Sequence, residues 1–191
     1  MLRLKGKSLY LRKLKLEDAP AIFEAVQESR EDLDRFFVWS PLVREVKDTE
    51  DFIKAHRKSA TKRRELVLGI FSAETDDYLG NVSLHPVPAS PHSTEVGYWV
   101  RSSATRKGIA SAAAALVTIA AFDEFRYHRL ILRAATDNIA SNRVAAKLGM
   151  HLGGVQRHEL QVIRGYLDLN YYTLLADEFA ASRQRLEKLI N

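Results

Sequence analysis

The stretch VRSSATRKGIASAAAALVTIAAF, Val100 to Phe122, constrains the chain most. It sets an Ala-rich helix directly behind a turn of hydroxyls and cations. Ala110 and Ala112 to Ala115 are good helix formers, and small enough to let a helix lie close against a sheet. The longest largely apolar run, about Ala112 to Phe122, is far short of the roughly 20 residues needed to span a bilayer. The turn itself, TRKGIAS from Thr105 to Ser111, has two readings at this point. A basic, Gly-containing helix start suits a bound phosphate, and it also suits an ordinary solvated loop.

Other function classes narrow quickly. With 191 residues the chain is expected to form one domain, 1–191, with a real core. It has no cysteine, which excludes disulfides, cysteine-ligated zinc and a thiol nucleophile. The histidines, His56, His85, His92, His128, His151 and His158, show no pair at helical metal-ligand spacing, so no metal is expected. The net charge of +5 favours acidic partners such as phosphates, although modest basicity is weak evidence. The N-terminus, MLRLKGKSLYLRKLK, is too broken by charge for a signal-peptide core. A soluble, cytoplasmic protein with no membrane partner is expected.

Periodicity and punctuation give the order of elements. Ser8 to Leu14 alternates as a strand. LEDAPAIFEAVQESR reads as a helix, with Asp18 as N-cap, Pro20 in the first turn and Ile22, Phe23 and Val26 on one face. REDLDRFF continues as a short helix stopped near Trp39 by Pro41. Asp48 to Arg64 reads as a third helix, capped by Asp48 or Thr49. Glu65 to Ser72 and Tyr78 to Val87 form a hairpin, and Thr94 to Arg101 a further strand. A long helix runs from Gly108 to about Arg126, then a strand from Arg129 to Ala135 and a helix from Ala140 closed by Gly149. MHLGGVQRHEL and YLDLNYYTLLA make a final hairpin. DEFAASRQRLEKLI is a terminal helix, suited to packing or to a homodimer contact. The sum is an α/β fold with a mixed sheet of about seven strands.

That order, with TEVGYWV, TRKGIASAAAAL, RLILRAATDNIASNRVAAKLGM and YLDLNYYTLL in sequence, resembles the GCN5-related N-acetyltransferases (GNAT), and within them the ribosomal-protein N-terminal acetyltransferases. The resemblance implies a mostly antiparallel sheet splayed at its middle, with helices on both faces. It implies acetyl-CoA as cosubstrate, with the pyrophosphate on the backbone N–H groups of the turn: Arg106, Lys107, Gly108, Ile109, Ala110 and Ser111. Gly108 and Ala110 fit the family motif; Thr105 stands where the family has Gln or Arg. A helix start has unpaired N–H donors and a partial positive charge, so the backbone supplies what that side chain does not. The resemblance also implies a bulge at Gly97, a pantetheine arm paired with the strand edge at Trp99, Val100 and Arg101, and a contact from Asn138. Ser141 stands near the thiol and Ala145 where many members carry a tyrosine acid. Ser141 is therefore the candidate proton donor to the thiolate, or else a helix cap with Asn138.

Without cysteine, the simplest scheme is direct attack by an amine on the thioester in a ternary complex. It needs an oxyanion donor, expected as a backbone N–H near Val100, and a proton acceptor, for which Glu95 and Glu159 are candidates. Either carboxylate can equally be salt-bridged. The resemblance suggests a protein N-terminal amine as acceptor. An α-amino group, with pKa about 7.7–8.0 against about 10.4 for lysine, is also the easier nucleophile to neutralise. Polyamine or aminoglycoside-like amines remain an alternative, although no acidic cluster is evident near Trp39 or Tyr98. Two further alternatives are a non-catalytic CoA-binding protein and a nucleic-acid-binding module using Lys54, Arg57, Lys58, Lys62, Arg63 and Arg64. The latter run lacks interleaved aromatics.

Overall fold

The computed structural model describes residues 3–59, 65–88 and 90–191. The strands are β1 (Arg3–Lys5), β2 (Leu9–Arg12), β3 (Leu66–Ser72), β4 (Tyr78–Pro86), β5 (Ser93–Val100), β6 (Arg129–Ala135), β7 (His151–Val162) and β8 (Gly165–Leu175). The helices are α1 (Ala19–Glu28), α2 (Arg30–Asp34), α3 (Val46–Ser59), α4 (Ile109–Asp123), α5 (Ile139–Leu148) and α6 (Ala176–Ile190). One 8-stranded sheet runs in the order β1-β2-β3-β4-β5-β6-β8-β7. The strand beyond the expected seven is β1, three residues of a charge-rich segment whose pairing with β2 no local alternation announces.

Every neighbouring pair is antiparallel except β5 and β6, which pair in parallel only over Ser93–Glu95 and Arg129–Ile131. Beyond Glu95 the two strands part, so the sheet is splayed as expected. The expected bulge at Gly97 is absent on the β4 side, where the register runs unbroken from Gly80↔Val100 to Pro86↔Thr94. Gly97 has a packing reason instead: a Cβ there would lie 3.2 Å from the Ser83 hydroxyl and 3.4 Å from His85 Nε2.

Two cores cover the sheet. On one face α4, with Ala112, Ala113, Ala114, Ala115 and Val117 buried, packs against Leu9, Leu68, Val82, Leu84, Val96 and Leu132. The alanines keep that helix near the strands, as their size predicts. α6 covers it from outside: Phe179 stacks on Phe122 with ring centroids 4.7 Å apart, and Leu186 is fully buried. The terminal helix is thus a packing element. On the other face α1 and α3 bury Ile22, Ala25, Val26 and Ile53 against Tyr10, Phe71, Tyr78 and Trp99.

Some helix boundaries differ from expectation. α3 starts at Val46, because the Asp48 carboxylate reaches back to the amides of Arg44 and Glu45 from inside the first turn. The expected continuation to Arg64 lies outside the described residues. Asp18 precedes α1 but makes no side-chain cap. It accepts a two-pronged contact from Arg12, at 2.7 and 2.8 Å, and a hydrogen bond from the Lys15 amide.

The end of β5 is fastened to α1. Arg101 donates to Glu28 through Nε at 2.8 Å and through a second short contact, and to Glu24 at 3.2 Å. The Arg101 hydrogen bond holds the Glu28 carboxyl down to about 2 against the opposing effect of burial. A carboxylate with a depressed folded pKa stabilises the fold above its unfolded value, about 4.3, and loses that contribution as pH falls through the folded value. Glu28→Gln is therefore expected to melt below wild type at neutral pH. The difference should close between about pH 4 and about pH 2, as followed by thermal denaturation across that range.

Candidate active site

The site begins where β5 ends. After the 3-10 turn Ser102–Ala104 the chain enters the left-handed region at Arg106 (φ 63°) and again at Gly108 (φ 79°), then starts α4. The two reversals turn the local amides outward. Among the described residues, none of the backbone N–H groups from 106 to 111 meets a protein acceptor, and the first helical bond is Ala112 N–H to the Gly108 carbonyl. A Cβ at Gly108 would meet nothing within 4 Å, so the concavity is open at its centre. Arg106 and Lys107 are exposed beside it. Consecutive unpaired amides, a helix N-terminus and two cations are what a phosphate group needs. Ile109 and Ser111 contribute only backbone, since their side chains are buried.

The cradle continues into the open edge of β5. The Arg101 amide donates to Leu79 at 2.8 Å, which directs that residue's backbone toward β4. Strand alternation then directs Trp99 and Gly97 toward β4 as well, and Val100, Tyr98 and Val96 toward the gap opposite β6. This corrects two expectations. Trp99 presents neither backbone nor side chain to the gap: its ring is buried among Trp39 and Tyr78, with centroids 5.8 and 6.0 Å away. Arg101 is held by Glu24 and Glu28. Val100 keeps the place expected of it.

Across the gap, α5 starts at Asn138, whose side-chain oxygen accepts from the Ser141 amide at 3.0 Å. That is a true cap, and it leaves the Asn138 amide NH₂ without a partner among the described residues. Asn142 fixes this turn to the sheet: it donates to the carbonyls of Ala135 and Asn138, and accepts from Asn170 at 2.7 Å and Tyr172 at 2.8 Å. The Ser141 hydroxyl faces the Tyr98 hydroxyl at 2.9 Å. Burial pushes the Tyr98 phenol well above its ordinary range, with the Ser141 hydrogen bond opposing, so Tyr98 stays a neutral donor. Tyr98 is the residue the sequence reading missed. The signal was strand parity: Tyr98 is on the same face as Val96 and Val100, toward α4.

On the opposite face of the sheet, Arg133 on β6 joins both candidate carboxylates. Its Nε and Nη2 fork onto Glu95 at 3.0 and 2.9 Å, and its Nη1 reaches Glu159 on β7 at 3.2 Å. The two expected bases are thus brought together, and both Glu95 oxygens already accept hydrogen bonds. The same face carries a second polar string. Ser83 Oγ lies 2.7 Å from His85 Nε2 and 3.2 Å from the Gly97 carbonyl, and His85 Nδ1 lies 3.1 Å from Glu65. His85 is directly opposite Glu95 in the β4–β5 register. The described residues contain no cluster of metal-ligating side chains. No helix among them is long and apolar enough to cross a membrane.

Comparison with known proteins agrees with this geometry. Residues 8–151 match the family described as the acetyltransferase (GNAT) domain. The chain is 30% identical to the probable N-acetyltransferase YjcK of Bacillus subtilis over 161 residues, 83% of this chain and 89% of that protein. A RimL ribosomal L7/L12 alpha-N-protein acetyltransferase, solved with coenzyme A, superposes with a TM-score of 0.84 at 20% identity, covering 93% of this chain and 99% of that one. RimJ of Mycobacterium smegmatis, solved with a CoA disulfide, gives 0.84 at 23% identity, over 97% and 91%. These two structures establish the fold.

The Tyr98–Ser141 bridge should be measurable as coupling. Tyr98→Phe and Ser141→Ala each remove one partner of the same hydrogen bond, at a cost of about 1 kcal/mol. In a double-mutant cycle by urea denaturation the two losses should fall short of additivity by about 0.5–1.5 kcal/mol. Strict additivity would mean that the hydroxyls do not interact.

Proposed function

Since the chain belongs to the acetyltransferase (GNAT) family and is an N-acetyltransferase, we propose that it moves the acetyl group of acetyl-CoA to the α-amino group of a protein N-terminus, by direct attack in a ternary complex. The observation that carries this reading is the run of unpaired amides at 106–111 lying just beyond the open edge of β5, the two joined by a turn whose own amides, 101–105, are held within the protein. Pyrophosphate on the cradle and an extended pantetheine arm along Val100, Tyr98 and Val96 bring the thioester toward the fork, where β5 and β6 separate. Asn138, through its amide NH₂, steadies the arm from α5. Arg106 and Lys107 add charge-assisted contacts to the phosphates.

The chemistry then falls to groups on both faces of the gap. The carbonyl oxygen gains negative charge as the amine attacks, and the Val100 N–H is its donor. The departing thiolate takes a proton through the Ser141 hydroxyl, which is oriented by Tyr98 and recovers its proton from solvent water. Glu95, Arg133 and Glu159 together carry one net negative charge, which draws a protonated amine to this face. An α-amine loses its proton near neutrality, where a lysine side chain does not. The RimL relative, described as an alpha-N-protein acetyltransferase, supports the same acceptor class.

The test is an acceptor panel with acetyl-CoA and thiol detection, comparing peptide N-termini, N-terminally blocked peptides containing lysine, polyamines and an aminoglycoside. Turnover on free peptide N-termini and none on blocked ones is the expected result; preference for a small polyamine would overturn the acceptor assignment. Gly108→Glu should weaken acetyl-CoA binding at least tenfold by calorimetric titration, because it sets a carboxylate into the cradle. Gly108→Ala, which shares the backbone strain at φ 79° without the charge, is the control.

A further inference from the structure

The acceptor-side string Glu65–His85–Ser83 has two hydrogen-bond arrangements, one with a neutral imidazole and one with an imidazolium. Glu65 is an acceptor at His85 Nδ1, so Nδ1 carries a proton. With a neutral ring, Nε2 then accepts from the Ser83 hydroxyl, at 2.7 Å, and the hydroxyl cannot also donate to the Gly97 carbonyl at 3.2 Å. With an imidazolium, Nε2 donates to Ser83, and the Ser83 hydroxyl donates to the Gly97 carbonyl as a second donor beside the ladder N–H. The Ser83 hydroxyl hydrogen therefore has two positions, chosen by the charge on His85. Gly97 lies between Val96 and Tyr98 on β5, two residues past the last β5–β6 pair at Glu95. The absence of a Cβ at Gly97 lets the hydroxyl and ring come this close.

Two further observations single out this string. Asn81, on the same strand and by strand parity the same face as Ser83, is 7% exposed, and its side-chain oxygen has no partner among the described residues. A buried acceptor without a donor is rare, and an amine N–H is such a donor. His85, in contrast, has a side chain 43% exposed, so a proton it receives can leave to solvent. The groups facing it are Glu65 at the start of β3, His56 of α3 through Glu65 at 3.7 Å, and Glu95 across the β4–β5 ladder, itself held by Arg133.

We infer that Ser83 and His85 are the proton exit of the reaction, Ser83 touching the acceptor amine and His85 acting through it, with Glu65 positioning His85. This rests on the amine-acetylation reading above. As the amine nitrogen forms its bond to the thioester carbonyl carbon, one N–H proton passes to Ser83 Oγ, and the Ser83 hydroxyl proton passes to His85 Nε2. The C–S bond breaks and the thiolate takes its proton separately. Ser83 ends as a hydroxyl donating to Gly97, His85 as an imidazolium on Glu65, and its proton is returned to solvent. Histidine suits the role because its ordinary pKa, about 6.5, lies just below that of an α-amine.

The experiment is a pH–rate profile of kcat/KM on one peptide N-terminus for wild type, Ser83→Ala, His85→Gln and Glu65→Gln, with acetyl-CoA affinity measured alongside. Ser83→Ala and His85→Gln should each lose on the order of 10²-fold near pH 7. The loss should persist past about pH 8, because the proton passed to Ser83 comes from an amine that is already neutral when it attacks. Glu65→Gln, which replaces the carboxylate that holds Nδ1, should lose less than His85→Gln, as expected of a positioning residue. Coenzyme affinity should stay within a few-fold in all of them. A loss that vanishes above about pH 8, the mark of a group that only neutralises the ammonium, or a Ser83→Ala profile like wild type, overturns the relay. Nitrogen-15 NMR of His85 is the readout independent of turnover: its Nε2 shift should change in Ser83→Ala, and an unchanged shift overturns the relay as well. Absence of wild-type turnover on any peptide N-terminus would instead strike the acceptor reading.

Discussion

The short parallel contact between β5 and β6 is the constraint on which the rest depends. Had the two strands paired along their whole length, the backbone of Val96, Tyr98 and Val100 would be satisfied within the sheet. Pairing ends at Glu95 and Ile131 instead. A strand edge is left open inside the sheet, where edges are ordinarily covered or closed. The open edge and the cradle are continuous because one segment makes both. β5 ends at Val100, and the amides of 106–111 follow it directly into α4.

The fork needs firm walls. On the β5 side, Arg101 fastens the strand end to Glu24 and Glu28 of α1, and Trp99 locks into the aromatic group of Tyr78 and Trp39. On the β6 side, Asn142 ties the turn before α5 to Asn170 and Tyr172 of β8. α4 lies beneath both walls, packed by alanines on the sheet and covered by α6. The hydroxyl pair Tyr98–Ser141 crosses the gap on the α4 face, and Arg133–Glu95 joins the two strands on the other. A hydrogen bond of the first kind contributes about 1 kcal/mol net, which is small enough for a substrate arm to replace it.

The two faces of the sheet divide the chemistry. The α4 face supplies the anion cradle and the hydroxyls. The opposite face gathers His85, Glu95, Arg133 and Glu159 from four strands, and Glu65 from the position before a fifth, β3, into a polar row. In the proposed reaction, phosphate recognition and amine recognition lie on opposite faces of the sheet, so two substrates meet at the gap without competing for the same groups.

What the sequence determined by itself was local. TRKGIAS followed by AAAAL fixes a basic turn and a small-residue helix, because left-handed turns, helix starts and alanine packing are set by neighbours in the chain. Strand alternation, Gly149 as a helix stop and the order of elements were legible for the same reason. The resemblance supplied Asn138 and Ser141, and the structure places both beside the gap. What only the tertiary structure decided depends on register. Arg101 and Trp99 are adjacent to the site in sequence, but strand parity and α1 turn them away from it. Glu95 and Glu159 are far apart in the chain, yet both meet on Arg133. Ser83 and His85 carry no motif; they become a connected pair because they are two residues apart on a strand, Gly97 opposite them has no side chain, and β3 begins with Glu65 beside the ring. Cross-strand neighbours are chosen by hydrogen-bond registers between distant segments, and no short stretch of sequence contains that information.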